Sequence, residues 1–164
     1  MKKTSRYTMQ VEEKLTLLVN GARKRRAYIH ALAMAQFTPG QYKCAIPMLT
    51  RQGYGVNVFP VHHVHPPLSM AIIGGHPGAV QSLLGYGADP HMTYPTNGGR
   101  TSPFQVLCEF LVRYAKEPKL AAKYRTMLLS FQAHKSNLDA KVHPLKPETF
   151  RSILSAAGYD ALLF

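Results

Sequence analysis

Apolar and polar positions along this chain follow helical spacing in short segments, and turn-forming residues separate the segments. The first segment predicts a helix over residues 9–26. Its apolar residues at spacings of three and four are Val11, Leu15, Leu18, Val19 and Ala22. Acidic residues stand in its first turn and a basic run, residues 23–26, stands in its last, and both placements suit the helix dipole. Residues 1–8 are polar and basic, and we expect them to fray.

Further helices are predicted after this first one, and Pro, Gly, His and Asn are common in the turns between them. The predicted ranges are 28–35, 42–52, 67–74, 78–85, 103–114, 120–131 and 147–157. They come in pairs, in which a short helix, a brief turn and a second helix precede a glycine. No long alternating run predicts a large sheet. The pattern therefore predicts an all-α fold with an internal repeat.

One segment, residues 66–90, carries the repeat most clearly. Its motifs, in order, are Pro67-Leu68, Gly75-His76 and Gly87-Ala88-Asp89, with apolar Val80, Leu83 and Leu84 between the last two. Pro67 can open a helix, Gly75 permits a sharp turn, and Gly87 supplies the left-handed residue that ends a helix. In this order the motifs resemble the ankyrin repeat along its whole length.

Weaker copies flank this segment. Upstream, residues 28–33 resemble the opening of the repeat and residues 45–57 resemble its end, with Gly53 placed 34 residues before Gly87. The ankyrin period is about 33 residues. Pro47 departs from the family pattern and predicts a kink or a late start in the second helix of this copy.

Downstream, residues 99–108 resemble the opening again, and Glu117-Pro118 is the expected break between the two helices of this copy. A last fragment, Val142-His143-Pro144-Leu145, is similar to the Pro-Leu start. Residues 150–163, with apolar Phe150 and Leu154, would form a closing cap, because stacked repeats need atypical ends to shield the core.

The resemblance implies an ankyrin-repeat solenoid of three to four divergent units. Residues 1–26 would be a basic tail and capping helix, and residues 27–164 the repeat domain with its cap. Ankyrin repeats bind proteins through a concave face and the tips of their turns, and matching positions give a set of partner-binding candidates. These are Phe59, Val61, His62, His63, Ile73, Tyr94, Arg100 and Phe110. The apolar and aromatic members are expected to be exposed anchors, with local packing in a long turn as the alternative for each.

Net charge adds a constraint on the partner. Twenty basic residues face eight acidic ones, which gives +12 at pH 7 with His neutral. A charge of this size favours acidic partners, namely an acidic protein, nucleic acid or an anionic membrane surface. We expect an acidic protein. Nucleic-acid binding is the alternative from another class, although no zinc-finger, RRM or KH signature occurs and Tyr does not interleave with Lys and Arg.

Candidate chemistry is sparse. The run His62-His63-x-His65, with His76 or His91 nearby, allows a metal site or a pH-sensitive contact, but we favour ordinary turn histidines. Cys44 and Cys108 lie far apart without nucleophile or metal spacing, and Cys108 falls on a small-residue position of a repeat helix, which predicts a core thiol. We therefore expect no enzyme activity, no metal and no cofactor.

The expected cellular compartment is inferred from two sequence patterns that are not found. No apolar run approaches the roughly 18 residues of a membrane span, and no apolar region follows the basic N-terminus as in a secretory signal. The expectation is a cytoplasmic protein, in the producing cell or in a host cell that it enters. A bacterial or viral effector or inhibitor fits this pattern. The alternative is the substrate-recognition domain of a larger effector enzyme.

Overall fold

The structure is a computed structural model that describes residues 13, 33, 37–51, 53, 55–57, 65–134, 141–143 and 146–162. Within these residues the chain is mostly helical, with two small antiparallel hairpins. The prediction of a mainly helical fold is therefore confirmed. The predicted helices over 9–26 and 28–35, and the domain boundary between them, lie outside the described residues except for Glu13 and Ala33, which are both helical.

The elements follow one another along the chain in a simple order. They are α1 Pro39–Arg51, α2 Pro67–Ile73, α3 Pro77–Gly85, β1 Tyr94–Thr96, β2 Gly99–Thr101, α4 Pro103–Arg113, α5 Pro118–Ala133, β3 Lys141–His143, β4 Lys146–Thr149 and α6 Phe150–Ala156. A 3-10 turn, Asp160–Leu162, follows α6. Proline begins each helix from α1 to α5, because the first turn has free N–H groups and the proline ring already fixes φ near its helical value. The predicted starts at residues 42, 78 and 120 were therefore late.

The start of α1 is fixed by a reciprocal cap. Thr38 Oγ1 accepts a hydrogen bond from the Gln41 backbone N–H at 3.3 Å, and Gln41 Oε1 accepts one from the Thr38 N–H at 2.9 Å. This capping box satisfies two backbone donors that the helix itself leaves free. The helix therefore begins eight residues before Pro47, and the expected late start at Pro47 is wrong.

Contacts between helices form two rows. One row consists of α1, α3 and α5, and the other of α2, α4 and α6, with each helix contacting its neighbour in the row. The pairs α2–α3 and α4–α5 join the rows. Each pair consists of neighbouring helices linked by a short turn. In the first of them Gly75 takes a φ of 68°, a left-handed conformation in the sharp turn that the sequence predicts there.

The 34-residue spacing recurs in three dimensions. Ala45, Ile46 and Leu49 of α1 are buried, and so are Ala79, Val80 and Leu83 of α3, which stand 34 residues later. Gly53 and Gly87 follow the two helices with φ values of 88° and 84°. Each donates its N–H to the carbonyl three residues back at 3.0 Å. The two helices therefore bury side chains at equivalent positions and are followed by glycines of the same conformation.

Two hairpins precede helices of the α2–α4–α6 row. β1 pairs with β2, with Tyr94 opposite Thr101 and Thr96 opposite Gly99. β3 pairs with β4 immediately before α6. The prediction of helix over 147–149 is wrong, because these residues form β4 and the chain turns helical only after Thr149. That residue makes a capping box with Ser152.

An aromatic stack closes the core at the C-terminal end. The Phe104 ring packs against those of Phe131 and Phe150, with centroid distances of 5.2 and 4.6 Å. The Tyr159 hydroxyl donates to the buried Leu111 carbonyl at 2.9 Å. These contacts attach α6 and the following turn to the α4–α5 pair. The role of residues 150–163 as a closing cap stays a prediction.

Candidate protein-binding surface

Helices α2, α4 and α6 expose one side of the stack. We call this the first-helix face, and it consists of Ile73, Glu109, Val112, Ser152 and Ala156, all exposed. On α4 the exposed positions fall three and four residues apart, opposite buried Leu107 and Leu111, so they share one side of the helix. Ile73 and Val112 are 36 % and 46 % exposed, which is high for β-branched residues.

A groove of about 390 Å³ lies on this face between α4 and α6. Val112 forms one wall, and Ser152, Ile153, Ala156 and Ala157 form the other. Its small side chains leave space for an apolar group, while Ser152 offers a hydroxyl at the edge. Such a shape suits a side chain of a bound segment, because apolar pockets with few polar groups favour ligand burial.

The β1–β2 hairpin carries Arg100 at its surface. Its guanidinium donates to the Thr93 carbonyl at 3.2 Å and to Thr93 Oγ1 at 2.8 Å. The side chain is exposed and held in place, as the prediction of a contact residue requires. Arg100 precedes α4 and Phe110 is the eighth residue of this helix, so a helical rise of about 10 Å from Pro103 lies between the two.

Tyr94 is not exposed, and the prediction of an exposed anchor there is wrong. Only 2 % of this side chain is accessible. Its hydroxyl donates to Ser69 Oγ at 2.9 Å and lies 3.1 Å from His65 Nδ1. A tyrosine whose hydroxyl finds buried partners can be fully buried, and here it ties β1 to α2. Burial raises the pKa of Tyr94, and the bond to Ser69 opposes this in part.

Phe110 is half-buried rather than exposed. Its ring lies 5.2 Å from that of Tyr124 and 5.7 Å from that of Tyr114, and the Arg113 guanidinium sits 5.5 Å from its centroid. Tyr114 and Tyr124 stack with an interplanar angle of 9°. Phe110 therefore belongs to an aromatic group at the α4–α5 turn, with only part of its ring available to a partner.

Four predicted contact residues lie outside the described residues: Phe59, Val61, His62 and His63. The structure therefore places Ile73 on the first-helix face, Phe110 at the α4–α5 turn and Arg100 on the hairpin, and it removes Tyr94 from the surface. Val112 and the groove were missed by the sequence analysis. The signal for Val112 was an apolar residue on the polar side of an otherwise amphipathic helix.

Three histidines, His65, His76 and His91, are partly buried, whereas His134 is exposed. Burial lowers the pKa of His65, His76 and His91. The charge of Lys123 lowers the pKa of His76 further, whereas Asp89 opposes the change at His91. Among the residues that the structure describes, no three His, Cys, Asp or Glu side chains gather as a metal site would require.

The thiols differ in their surroundings. Cys108 is 2 % exposed, within the core cluster, as the sequence predicts. Burial and the nearby Glu109 raise its pKa well above the ordinary thiol range, and a protonated thiol is a poor nucleophile. Cys44 is partly exposed on α1.

A basic surface at the α4–α5 turn was also missed. Between residues 113 and 125 the chain has five basic residues and one acidic residue. We call the four at the turn end, Arg113, Lys116, Lys119 and Lys123, the basic turn face, and all four are exposed. The sequence analysis gave most weight to the denser run at 23–26, because these four are brought together only by the turn and by helical spacing.

Comparison of the chain with protein-family models, with curated proteins and with solved structures found no match. Among the helices that the structure describes, none combines the length and the apolar character needed to cross a membrane.

Proposed function

We propose that this chain is a non-enzymatic, ankyrin-type module that holds an acidic partner protein through the first-helix face and the β1–β2 hairpin. The observation that carries this proposal is the repeated unit. Helices α1 and α3 bury equivalent residues 34 positions apart and end at left-handed glycines, and the helix pairs contact one another in two rows with hairpins between them. This is the arrangement expected of stacked repeats, each of which contacts only its neighbours.

The exposed residues support binding of a protein. A stacked module leaves one row of helices and its hairpins unpacked, and here that row exposes Ile73, Val112 and an apolar groove. Exposed apolar side chains surrounded by polar ones are typical of interaction sites. The +12 net charge supports an acidic partner.

The test is capture from a lysate of the organism that encodes the protein, at about 150 mM and about 500 mM salt, since exposed charge contacts are screened at the higher value. Ile73→Glu/Val112→Glu is compared with Leu129→Glu. Leu129 is 52 % exposed on α5, in the other row of helices, so the control introduces the same kind of change outside the proposed surface. Chemical denaturation of each variant checks folding.

An acidic protein retained by the wild type and by Leu129→Glu, and lost by Ile73→Glu/Val112→Glu, is the expected result. Capture that is indifferent to both changes, or recovery of mainly nucleic acid that is released at high salt, would contradict the proposal. The second result would favour binding driven by phosphate contacts.

A further inference from the structure

The four cations of the basic turn face lie at the end of α4 and α5 that is opposite the β1–β2 hairpin. Lys119 and Lys123 stand four residues apart on α5, which places them on one side of the helix. Lys116 lies in the turn before α5, and Arg113 is the last residue of α4. Glu117 is the one acidic residue between 113 and 125, and the four cations of the basic turn face form no ion pair with any residue that the structure describes.

This charge extends across two neighbouring repeats. The charge of Lys123 acts on His76, which lies in the turn between α2 and α3, and lowers its pKa. The charge of Arg113 acts on Tyr124. Gly75 also approaches this region, since a Cβ there would lie 4.0 Å from the Tyr124 hydroxyl. The basic turn face therefore adjoins the α2–α3 turn rather than being confined to a single helix end.

The arrangement is unfavourable for the isolated chain. Lysines at i and i+4 repel each other. Lys119 is the second residue of α5, where the helix dipole favours an anion. Since no acidic side chain pairs with these cations among the described residues, solvent ions or a bound anionic group would relieve the repulsion.

Aromatic and apolar residues beside the cations indicate which class of anionic group this surface binds. One face of Tyr114 is occupied by Tyr124, and Arg113 lies over the Phe110 ring. The covered faces cannot stack on bases, which reduces the aromatic surface that single-stranded nucleic acid would use. Phe110 is half-buried and stands three residues before Arg113 on α4, so part of its ring lies on the same side of the helix as this cation. A peptide with carboxylates and an apolar side chain complements such a surface better than a phosphate backbone does.

We propose that the basic turn face, with Phe110 at its edge, binds an acidic segment of the partner protein that carries an apolar anchor. This inference rests on the proposed function and deepens it by naming the segment's chemistry and a docking surface away from the hairpin. The cations set the approach of the segment and its orientation, and the apolar contact with Phe110 makes binding less sensitive to salt than charge alone would.

The test uses fluorescence anisotropy with three probes: a labelled Glu-rich peptide carrying one Leu and one Phe, the same peptide with Gln for every Glu, and a labelled single-stranded oligonucleotide. The full chain is compared with Lys119→Glu/Lys123→Glu and with Lys43→Glu/Arg51→Glu. Lys43 and Arg51 are exposed on α1, so both double variants change the net charge equally. Affinity for the Glu-rich peptide should fall about tenfold in the first variant and about twofold at most in the second, because only the first replaces attraction by repulsion at the contact.

Three results would overturn the inference: no binding of the Glu-rich peptide, equal weakening in both variants, or tighter binding of the oligonucleotide with loss in Lys119→Glu/Lys123→Glu. Capture of the partner separates this inference from the proposed function. A partner lost by Ile73→Glu/Val112→Glu and kept by Lys119→Glu/Lys123→Glu would leave the proposed function standing and remove the basic turn face from it. A partner that is captured equally well by both double variants would contradict both the proposed function and this inference.

Discussion

The Tyr86 hydroxyl donates a hydrogen bond to the Lys43 carbonyl at 3.1 Å. Lys43 stands four residues before Pro47 in α1, and Pro47 has no N–H to donate to that carbonyl as a helical residue would. A side chain that follows α3 therefore supplies the hydrogen bond that proline removes from α1. Tyr86 is 40 % exposed, and this contact accounts for an aromatic residue at the surface.

Removal of the Tyr86 hydroxyl should destabilise the protein only while Pro47 is present. We expect Tyr86→Phe to lower the free energy of unfolding by about 1 kcal/mol, a usual value for one hydrogen bond. In a Pro47→Ala background the backbone N–H of the introduced alanine can donate to the Lys43 carbonyl, and the same change should cost close to nothing. Urea denaturation of the four proteins in this cycle measures the coupling, and equal costs in both backgrounds would contradict the assignment.

A second bridge joins successive turns through Asn57. Its Oδ1 accepts from the Asp89 N–H at 2.8 Å, and its Nδ2 donates to the Gly87 carbonyl at 3.0 Å. Both bonds are exposed, so water replaces them in part. Asn57→Ala should cost about 1 kcal/mol by thermal or urea unfolding, whereas Asn97→Ala at the tip of the β1–β2 hairpin should cost less than half as much. A larger cost for Asn97→Ala than for Asn57→Ala would contradict a stabilising role for the two bonds of Asn57.

The buried pair Tyr94 and Ser69 should be coupled energetically. Tyr94→Phe leaves the Ser69 hydroxyl without its bond to Tyr94 in the interior, at a cost of about 1 to 2 kcal/mol. Once Ser69 is replaced by Ala, removal of the Tyr94 hydroxyl should cost about 1 kcal/mol less, because that bond is already absent. A double-mutant cycle by equilibrium unfolding checks this, and additive costs would rule out the interaction.

Two glycines near the end of α3 should respond to alanine in opposite directions. Gly87 has a φ of 84°, so Gly87→Ala should destabilise by about 1 kcal/mol although nothing lies within 4 Å of the added Cβ. Gly85 is helical and also has open space around it, so Gly85→Ala should be neutral or stabilise by about 0.5 kcal/mol. Thermal unfolding of the two variants gives the comparison, and an equal effect would contradict the left-handed conformation at Gly87.

Stability should decrease as the pH falls below the ordinary histidine pKa of 6.5. Burial lowers the pKa of His91, so the unfolded chain binds a proton at a higher pH than the folded chain does, and protonation favours unfolding. Well above that pH His91 gains no proton in either state, so it does not make stability depend on pH. His65 and His76, whose pKa values are also lowered, should act in the same direction.

His91→Phe should reduce the loss of stability between about pH 7.5 and about pH 5, the range in which an ordinary histidine gains its proton. The change keeps a ring beside Phe104 and Phe150 and keeps the backbone bond from residue 91 to Asp89. Urea unfolding at both pH values measures the difference. His134→Phe serves as the control, because His134 is exposed after α5. An undiminished loss in His91→Phe would show that His91 does not contribute.

Local signals in the sequence located most of the described helices. Residues 67–74 and 103–114 were predicted as helices within a residue of their observed bounds, because a proline at the first helical position and an apolar face are both local properties. The left-handed conformation of Gly87 was predicted from its place at the end of a helix, whereas Gly75 was predicted only as the glycine of a sharp turn. The capping box of Thr38 and Gln41 was equally local and was overlooked, and this moved the predicted start of α1.

Exposure was harder to predict. Tyr94 was expected at the surface because it matches a position through which ankyrin repeats contact their partners. Nothing near it in the sequence indicates that its hydroxyl bonds to Ser69 or lies beside His65. Residues 147–149 were assigned to the helix predicted over 147–157. Their pairing with β3 depends on another segment of the chain, which a local pattern does not contain.

The sequence by itself determined the helical character, the 34-residue spacing, the helix-ending glycines and the net charge, since each depends on residue type and short-range order. Only the tertiary structure decided that Tyr94 is buried, that Tyr86 replaces the hydrogen bond lost at Pro47, and that four cations separated along the chain share one end of the stack. These relationships join residues distant in sequence or on different helices, and they exist only once the helices pack against one another.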